Sequence, residues 1–242
     1  MNRSDDKPGK PAIPSAAAPS SVDAFLRQAE AARADQERSS RGRLIFALDA
    51  TASRQATWDL ARSLQSRMFE SAKTLGGLDV QLVYFRGFGE CRASRFVAGG
   101  EGLAALMARI EVSGGMTQIG RVLRHVAEES RRGRVGALVY VGDAMEENID
   151  ELAALAGEIA LLGVKAFLFQ EGGDPNARRA FREIARLTGG AYAIFDANAP
   201  SRLAALLAAA AAYAAGGRLA LEQKAREGHE AAKLLLGQMR PA

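Results

Sequence analysis

The chain has 242 residues, 48% of them hydrophobic and 25% charged, with 32 Lys and Arg against 28 Asp and Glu for a formal net charge of +4. That composition predicts a soluble protein with one domain of ordinary size plus appendages, and its basic excess is too dispersed to specify nucleic acid: the densest stretch, Arg121 to Arg134, also carries Glu128 and Glu129. A single cysteine, Cys91, excludes an internal disulfide and a cysteine-rich zinc site, and two distant histidines, His125 and His229, read as surface helix residues rather than a zinc centre or a triad.

Residues 1–21 are rich in Pro, Ser and Ala with Ile13 as the one large apolar residue, so they are expected to form a disordered leader. An amphipathic helix is expected within 22–42, broken at the segment from Ser39 to Gly42. From Arg43 onward strand-like and helix-like segments alternate, which predicts an α/β fold: a doubly wound, mostly parallel sheet with helices on both faces. The first strand, 44–48, is apolar throughout, as suits a central strand covered on both sides. A helix over 55–75 follows, with Ala61, Leu64, Met68, Ala72 and Leu75 as its inward stripe and Gly76-Gly77 as its stop. Strands over 79–86 and 90–97 are joined only by Gly87-Phe88-Gly89, too short for a parallel crossover, so the second must run antiparallel at the sheet edge.

A short helix over 102–110 leads to Gly114-Gly115-Met116-Thr117 and then a helix over 118–131. Further strands are predicted over 136–141, 164–169 and 191–195, and further helices over 149–162, 176–187 and 201–215. The tail, 216–242, carries Leu221, Ala225, Ala232, Leu235 and Met239 at near-helical spacing, an apolar stripe expected to pack back on the domain. The N-terminus shows no apolar signal core and the apolar run 203–215 is too short to span a bilayer, so a cytoplasmic location is expected. The heavy use of Ala, Arg and Gly suggests a bacterial source.

Chemistry concentrates where the first strand ends. Asp49, Thr51 and Ser53 put one carboxylate and two hydroxyls at alternate positions, all hard oxygen donors of the kind Mg2+ accepts and none suited to a soft metal. In a doubly wound sheet ligands bind beyond the carboxyl ends of the strands, where the strand order reverses. Asp143 leaves the carboxyl end of the strand over 136–141, and if that strand neighbours the first, both carboxylates share one crevice. The glycines before Thr117 let that hydroxyl approach from a third loop.

This set resembles the metal-ion-dependent adhesion site (MIDAS) of von Willebrand factor type A (VWA) domains, Asp-x-Ser-x-Ser on one loop, Thr on the second and Asp on the third. The resemblance covers about 43–215. Thr51 stands where the family has its first Ser, and Ala144 follows Asp143 where the family usually has Gly, with Glu146 and Glu147 close behind to add negative charge. The resemblance implies a divalent ion, Mg2+ or else Mn2+ or Ca2+, held directly by Thr51 and Ser53, directly or through water by Thr117, and partly through water by Asp49 and Asp143. It further implies that an Asp or Glu of a partner protein completes the coordination, so that the site binds and is not enzymatic, with no catalytic residue.

Two alternatives stay open. One is a structural subunit of a complex with an empty site. The other is a haloacid-dehalogenase-like phosphatase, which also begins with Asp at a strand end. That class needs a second Asp two residues on, where this chain has Thr51, and a Lys near the later acidic pair, whereas Lys73 is the one lysine between Arg43 and Asp143. A dinucleotide site lacks the glycine-rich turn after the first strand. No membrane and no specific nucleic acid is expected as a partner.

Overall fold

A computed structural model describes residues 41–51, 55–73, 77–196 and 199–239. The expected leader, most of the helix expected within 22–42, Leu75 and the candidate ligand Ser53 lie outside the described residues.

Strand β1 (Gly42–Asp49) is buried from Leu44 to its end, with no polar side chain before Asp49 among those buried positions. Such a run needs cover on both faces. Helix α1 (Gln55–Ala72) supplies part of it and leads to β2 (Leu78–Arg86), which lies parallel to β1 with Leu44 beside Val80 and Asp49 beside Phe85. The turn at residues 87–89 sends β3 (Glu90–Val97) back antiparallel to β2, as its length requires. Helices α2 (Gly100–Met107) and α3 (Ile119–Arg132) follow, then β4 (Ala137–Gly142), α4 (Ile149–Leu161), β5 (Lys165–Glu171), α5 (Pro175–Thr188), β6 (Ala191–Phe195), α6 (Pro200–Arg226) and α7 (Glu230–Leu236).

The sheet order is β3-β2-β1-β4-β5-β6, with every pair parallel except β2 and β3. This is the doubly wound α/β sheet with one antiparallel edge strand. The chain moves outward from β1 in one direction through β2 and β3, and in the other through β4, β5 and β6. The order therefore reverses between β1 and β4, whose carboxyl ends lie side by side with Leu48 opposite Val141.

Alternation along the strands sorts the core into two layers. Leu44, Phe46, Leu48, Val139, Val141, Phe167 and Phe169 face α1, α2, α6 and α7, whereas Ile45, Ala47, Leu138, Tyr140, Ala166 and Leu168 face α3, α4 and α5. Trp58, in the first turns of α1, is buried; its indole N–H donates to the Met107 carbonyl at 3.4 Å and its ring meets Tyr84 edge to face. Leu221, Ala232, Leu235 and Met239 are buried in the same layer, so the apolar stripe of the tail closes the core beneath α6.

The expected stop at residues 216–217 is present: Gly217 (φ 67°, ψ −160°) breaks α6 into two helical segments, and the second runs on to Arg226 as part of the helical tail. Taken across both segments α6 is long and apolar enough by composition to cross a bilayer, but Leu203, Leu206, Leu207 and Leu221 are buried in the core. One detail differs from the sequence reading. His125 is half-buried on α3 and meets Gln81 Oε1 at 2.9 Å, with burial holding its pKa below the ordinary imidazole value.

Candidate metal centre

Asp49 is the last residue of β1 and Asp143 follows the last residue of β4, so the two carboxylates leave adjacent parallel strands at the same edge. Asp49 is 3% exposed and its Oδ1 accepts the amide N–H of Thr51 at 2.8 Å. That bond closes a local turn of the kind Asp readily makes with the residue two on, and it turns the chain away from the strand while Thr51 stays buried.

The segment that carries Thr117 is pinned from three sides. The Ser113 amide donates to the Ala50 carbonyl at 3.0 Å, which ties it to the β1 loop. The Met116 amide donates to the Gly87 carbonyl at 3.1 Å, and a Cβ on Gly115 would stand 2.3 Å from the Gly87 backbone, so the hairpin tip and this loop meet backbone to backbone. Gln118 Nε2 reaches the carbonyls of Arg86, Gly87 and Glu90 at 3.2, 3.4 and 3.3 Å. Here lies the physical reason for Gly115, where there is no room for a side chain, whereas a Cβ at Gly114 would meet nothing.

The third tie comes from the loop after β4, where Glu146 and Glu147 add negative charge, as the spacing predicts, and also make bonds that the spacing does not predict. Glu146 Oε2 accepts both the Thr117 hydroxyl at 2.7 Å and the Thr117 amide at 3.0 Å, while the Glu146 amide donates back to Thr117 Oγ1 at 3.2 Å. Glu147 accepts the amides of Ile119 at 2.5 Å and Gly120 at 2.9 Å, the first two of α3. A carboxylate there satisfies donors that a helix start leaves open and complements its dipole; the N-cap residue, Gln118, makes no such side-chain bond. Asn148 then caps the next helix, accepting from Asp150 and Glu151. The three residues Glu146 to Asn148 thus start α4 and secure the start of α3.

Of the five predicted ligands, Asp49, Thr51, Thr117 and Asp143 lie on three loops at the reversal point of the sheet, the Thr117 loop being bonded to each of the other two. Ser53 lies outside the described residues. Thr57, buried in the first turn of α1, donates to the Glu171 carboxylate at the end of β5. That contact links the β1 side of the crevice to a fourth loop and had no signal in the spacing.

The donor set is all oxygen: two carboxylates and neutral hydroxyls, which fits a hard divalent cation. No group of three His, Cys, Asp or Glu side chains able to hold a metal occurs among the described residues, so a soft or histidine-rich centre has no counterpart there. Thr117 Oγ1 gives its proton to Glu146 and receives one N–H, which leaves one lone pair for a cation. Beside the loops, Phe88 and Met116 are 87% and 49% exposed, and the Arg86 guanidinium, bonded to Glu90 at 2.8 Å, holds that carboxyl below its ordinary value. Burial pushes the Cys91 thiol on β3 up to about 11, against a smaller opposing effect of Arg121, so it stays protonated near neutral pH.

No protein-family model and no curated protein sequence matches the chain. Solved structures do. A von Willebrand factor type A protein from Catenulispora acidiphila superposes with a TM-score of 0.57 at 16% identity, over 71% of this chain and 43% of that one. The SpRpn10 VWA domain gives 0.52 at 12% identity, over 67% and 95%. Proximal thread matrix protein 1 from the mussel byssus, with a zinc-occupied MIDAS motif, gives 0.54 at 14% identity, over 70% and 46%. At these identities the likeness is one of architecture, and this chain has the fold of a von Willebrand factor type A domain.

Proposed function

We propose that the chain is a metal-dependent protein-interaction module. A divalent ion, Mg2+ or else Mn2+ or Ca2+, sits among Asp49, Thr51, Ser53, Thr117 and Asp143, and an Asp or Glu from a partner protein takes one remaining position. The observation that carries this reading is the joining of the three loops: Ser113 to Ala50, and Thr117 to Glu146, at the one place where the strand order reverses. A MIDAS motif holding zinc in a structural neighbour supports a divalent ion on this fold.

When bound, the ion supplies a fixed positive charge whose open position accepts a carboxylate oxygen. The chain's own residues do the rest. Asp49 and Asp143 balance the charge, the hydroxyls contribute neutral oxygens, and the packed backbone around Gly115 keeps the crevice from collapsing. Beside the β4 loop, Arg178, Arg179, Arg182 and Arg186 line a cleft of about 570 Å³ between α4 and α5 together with Asp150 and Glu183, the latter paired with Arg186, so its basic excess is two charges. The phosphatase reading is the weaker one, because Thr51 stands two residues after Asp49 where that class needs a second Asp.

Titration calorimetry with Mg2+ and Mn2+ tests the reading. Wild-type protein is expected to bind one ion, and Asp49→Ala to lose it while keeping its circular dichroism spectrum. A folded wild type that takes up neither ion overturns the proposal and leaves the structural-subunit reading in its place.

A further inference from the structure

Glu146 is a site residue that the VWA motif does not include. Resting on the metal reading above, we propose that it is a positioning residue: its hydrogen bonds hold the Thr117 hydroxyl in the one rotamer that can offer a lone pair to the ion.

The two neighbouring glutamates divide their work. Glu147 satisfies the opening amides of α3, at Ile119 and Gly120. Glu146 gives nothing to that helix. All three of its hydrogen bonds, two accepted by Oε2 and one donated by its amide, go to Thr117, 29 residues away in sequence. A threonine side chain has three staggered χ1 wells, and this pair of bonds to Oγ1, one given and one received, selects one of them. A hydroxyl that binds a cation also needs an acceptor for its proton, and a carboxylate is the strongest acceptor available. Glu146 is that acceptor.

It is not itself counted among the ligands. Glu146, Asp49 and Asp143 do not form a three-acid cluster able to hold a metal, and the Glu146 carboxylate is directed to Thr117 instead. Residues that orient ligands in this way commonly govern affinity by about 10–100-fold.

The experiment is Mn2+ titration of the full chain, by calorimetry and by the EPR signal of free Mn2+, for wild type, Glu146→Ala and Glu146→Gln, with thermal melting of each. Glu146→Ala is expected to bind Mn2+ about 10–100-fold more weakly with its melting temperature little changed, because the side chain is exposed and α3 keeps its cap. Glu146→Gln keeps a carbonyl oxygen that can accept from Thr117 and is expected to restore most of the affinity. Equal affinity in wild type and Glu146→Ala overturns the inference and leaves the metal reading standing. Tighter binding by Glu146→Ala overturns it too, and makes Glu146 a competitor for the ion's place. If Glu146→Gln is as weak as Glu146→Ala, charge and not positioning is at work, and the inference fails. Wild type without Mn2+ binding removes both the inference and the reading beneath it.

Discussion

Asp49 and Glu146 stand at the ends of adjacent strands and are held by opposite means. Asp49 Oδ1 takes the amide of Thr51, two residues on, so the start of the β1 loop has a local bond beside the ties of Ala50 to Phe85 and Ser113. Glu146 reaches Thr117, 29 residues back, and Glu147 reaches Ile119, 28 residues back, so the β4 loop has its form only once α3 is in place. The first loop begins with a local turn and carries proposed ligands; the second is a clasp between elements. A local turn survives loss of its neighbours, whereas a clasp fails when either side moves.

This contrast sets an order of expected effects. The largest is on ion binding in the local loop: Asp49→Asn should reduce Mn2+ affinity more than about 100-fold, well beyond an orienting residue's 10–100-fold, with the fold retained. Undiminished binding in calorimetry would reduce the β1 loop to a turn and erase the contrast. Next comes Gly115→Ala, which forces a Cβ to within 2.3 Å of the Gly87 backbone. Its displacement of the hairpin from the Thr117 loop should cost about 1–3 kcal/mol in urea unfolding and weaken Mn2+ binding as well. A neutral result would mean that the loops part at no cost.

Smaller again is Glu147→Ala, which strips the α3 cap. A stability loss of about 1 kcal/mol is expected, read as a fall in melting temperature of about 2–4 °C. Loss of ion binding without a melting shift would contradict the division of labour between the two glutamates. The smallest change in stability belongs to Thr51→Ser. It keeps both the hydroxyl and the backbone N–H bonded to Asp49, so unfolding should move by less than about 0.5 kcal/mol while Mn2+ affinity stays within threefold of wild type.

How far the site was legible follows the same division. Asp49 and Thr51 could be read directly, because a buried apolar strand ending in alternate oxygen side chains is a pattern of neighbours. Thr117 and Asp143 were candidates through the fold, since flexible glycines let a third loop approach and strand ends mark ligand positions. The roles of Glu146 and Glu147 were not legible, because their partners lie 29 and 28 residues away and no periodicity connects them. Thr57 and Glu171, 114 residues apart, were hidden for the same reason. Helix α6 shows the converse: the break at Gly217 and the helical segment after it, with Leu221 in the core, were both legible from a glycine pair and an apolar stripe within a few residues.

The sequence by itself determined the alternation of strands and helices, the antiparallel edge strand and the oxygen donors, because each depends on periodicity, turn length or side-chain chemistry within a few residues. Only the tertiary structure decided that β1 and β4 are neighbours, that Gly115 rests on Gly87, and that Glu146 belongs to Thr117 rather than to solvent. Those are encounters between segments far apart in the chain, fixed by which faces bury together, and a carboxylate's partner is chosen only after that burial has brought the loops within reach.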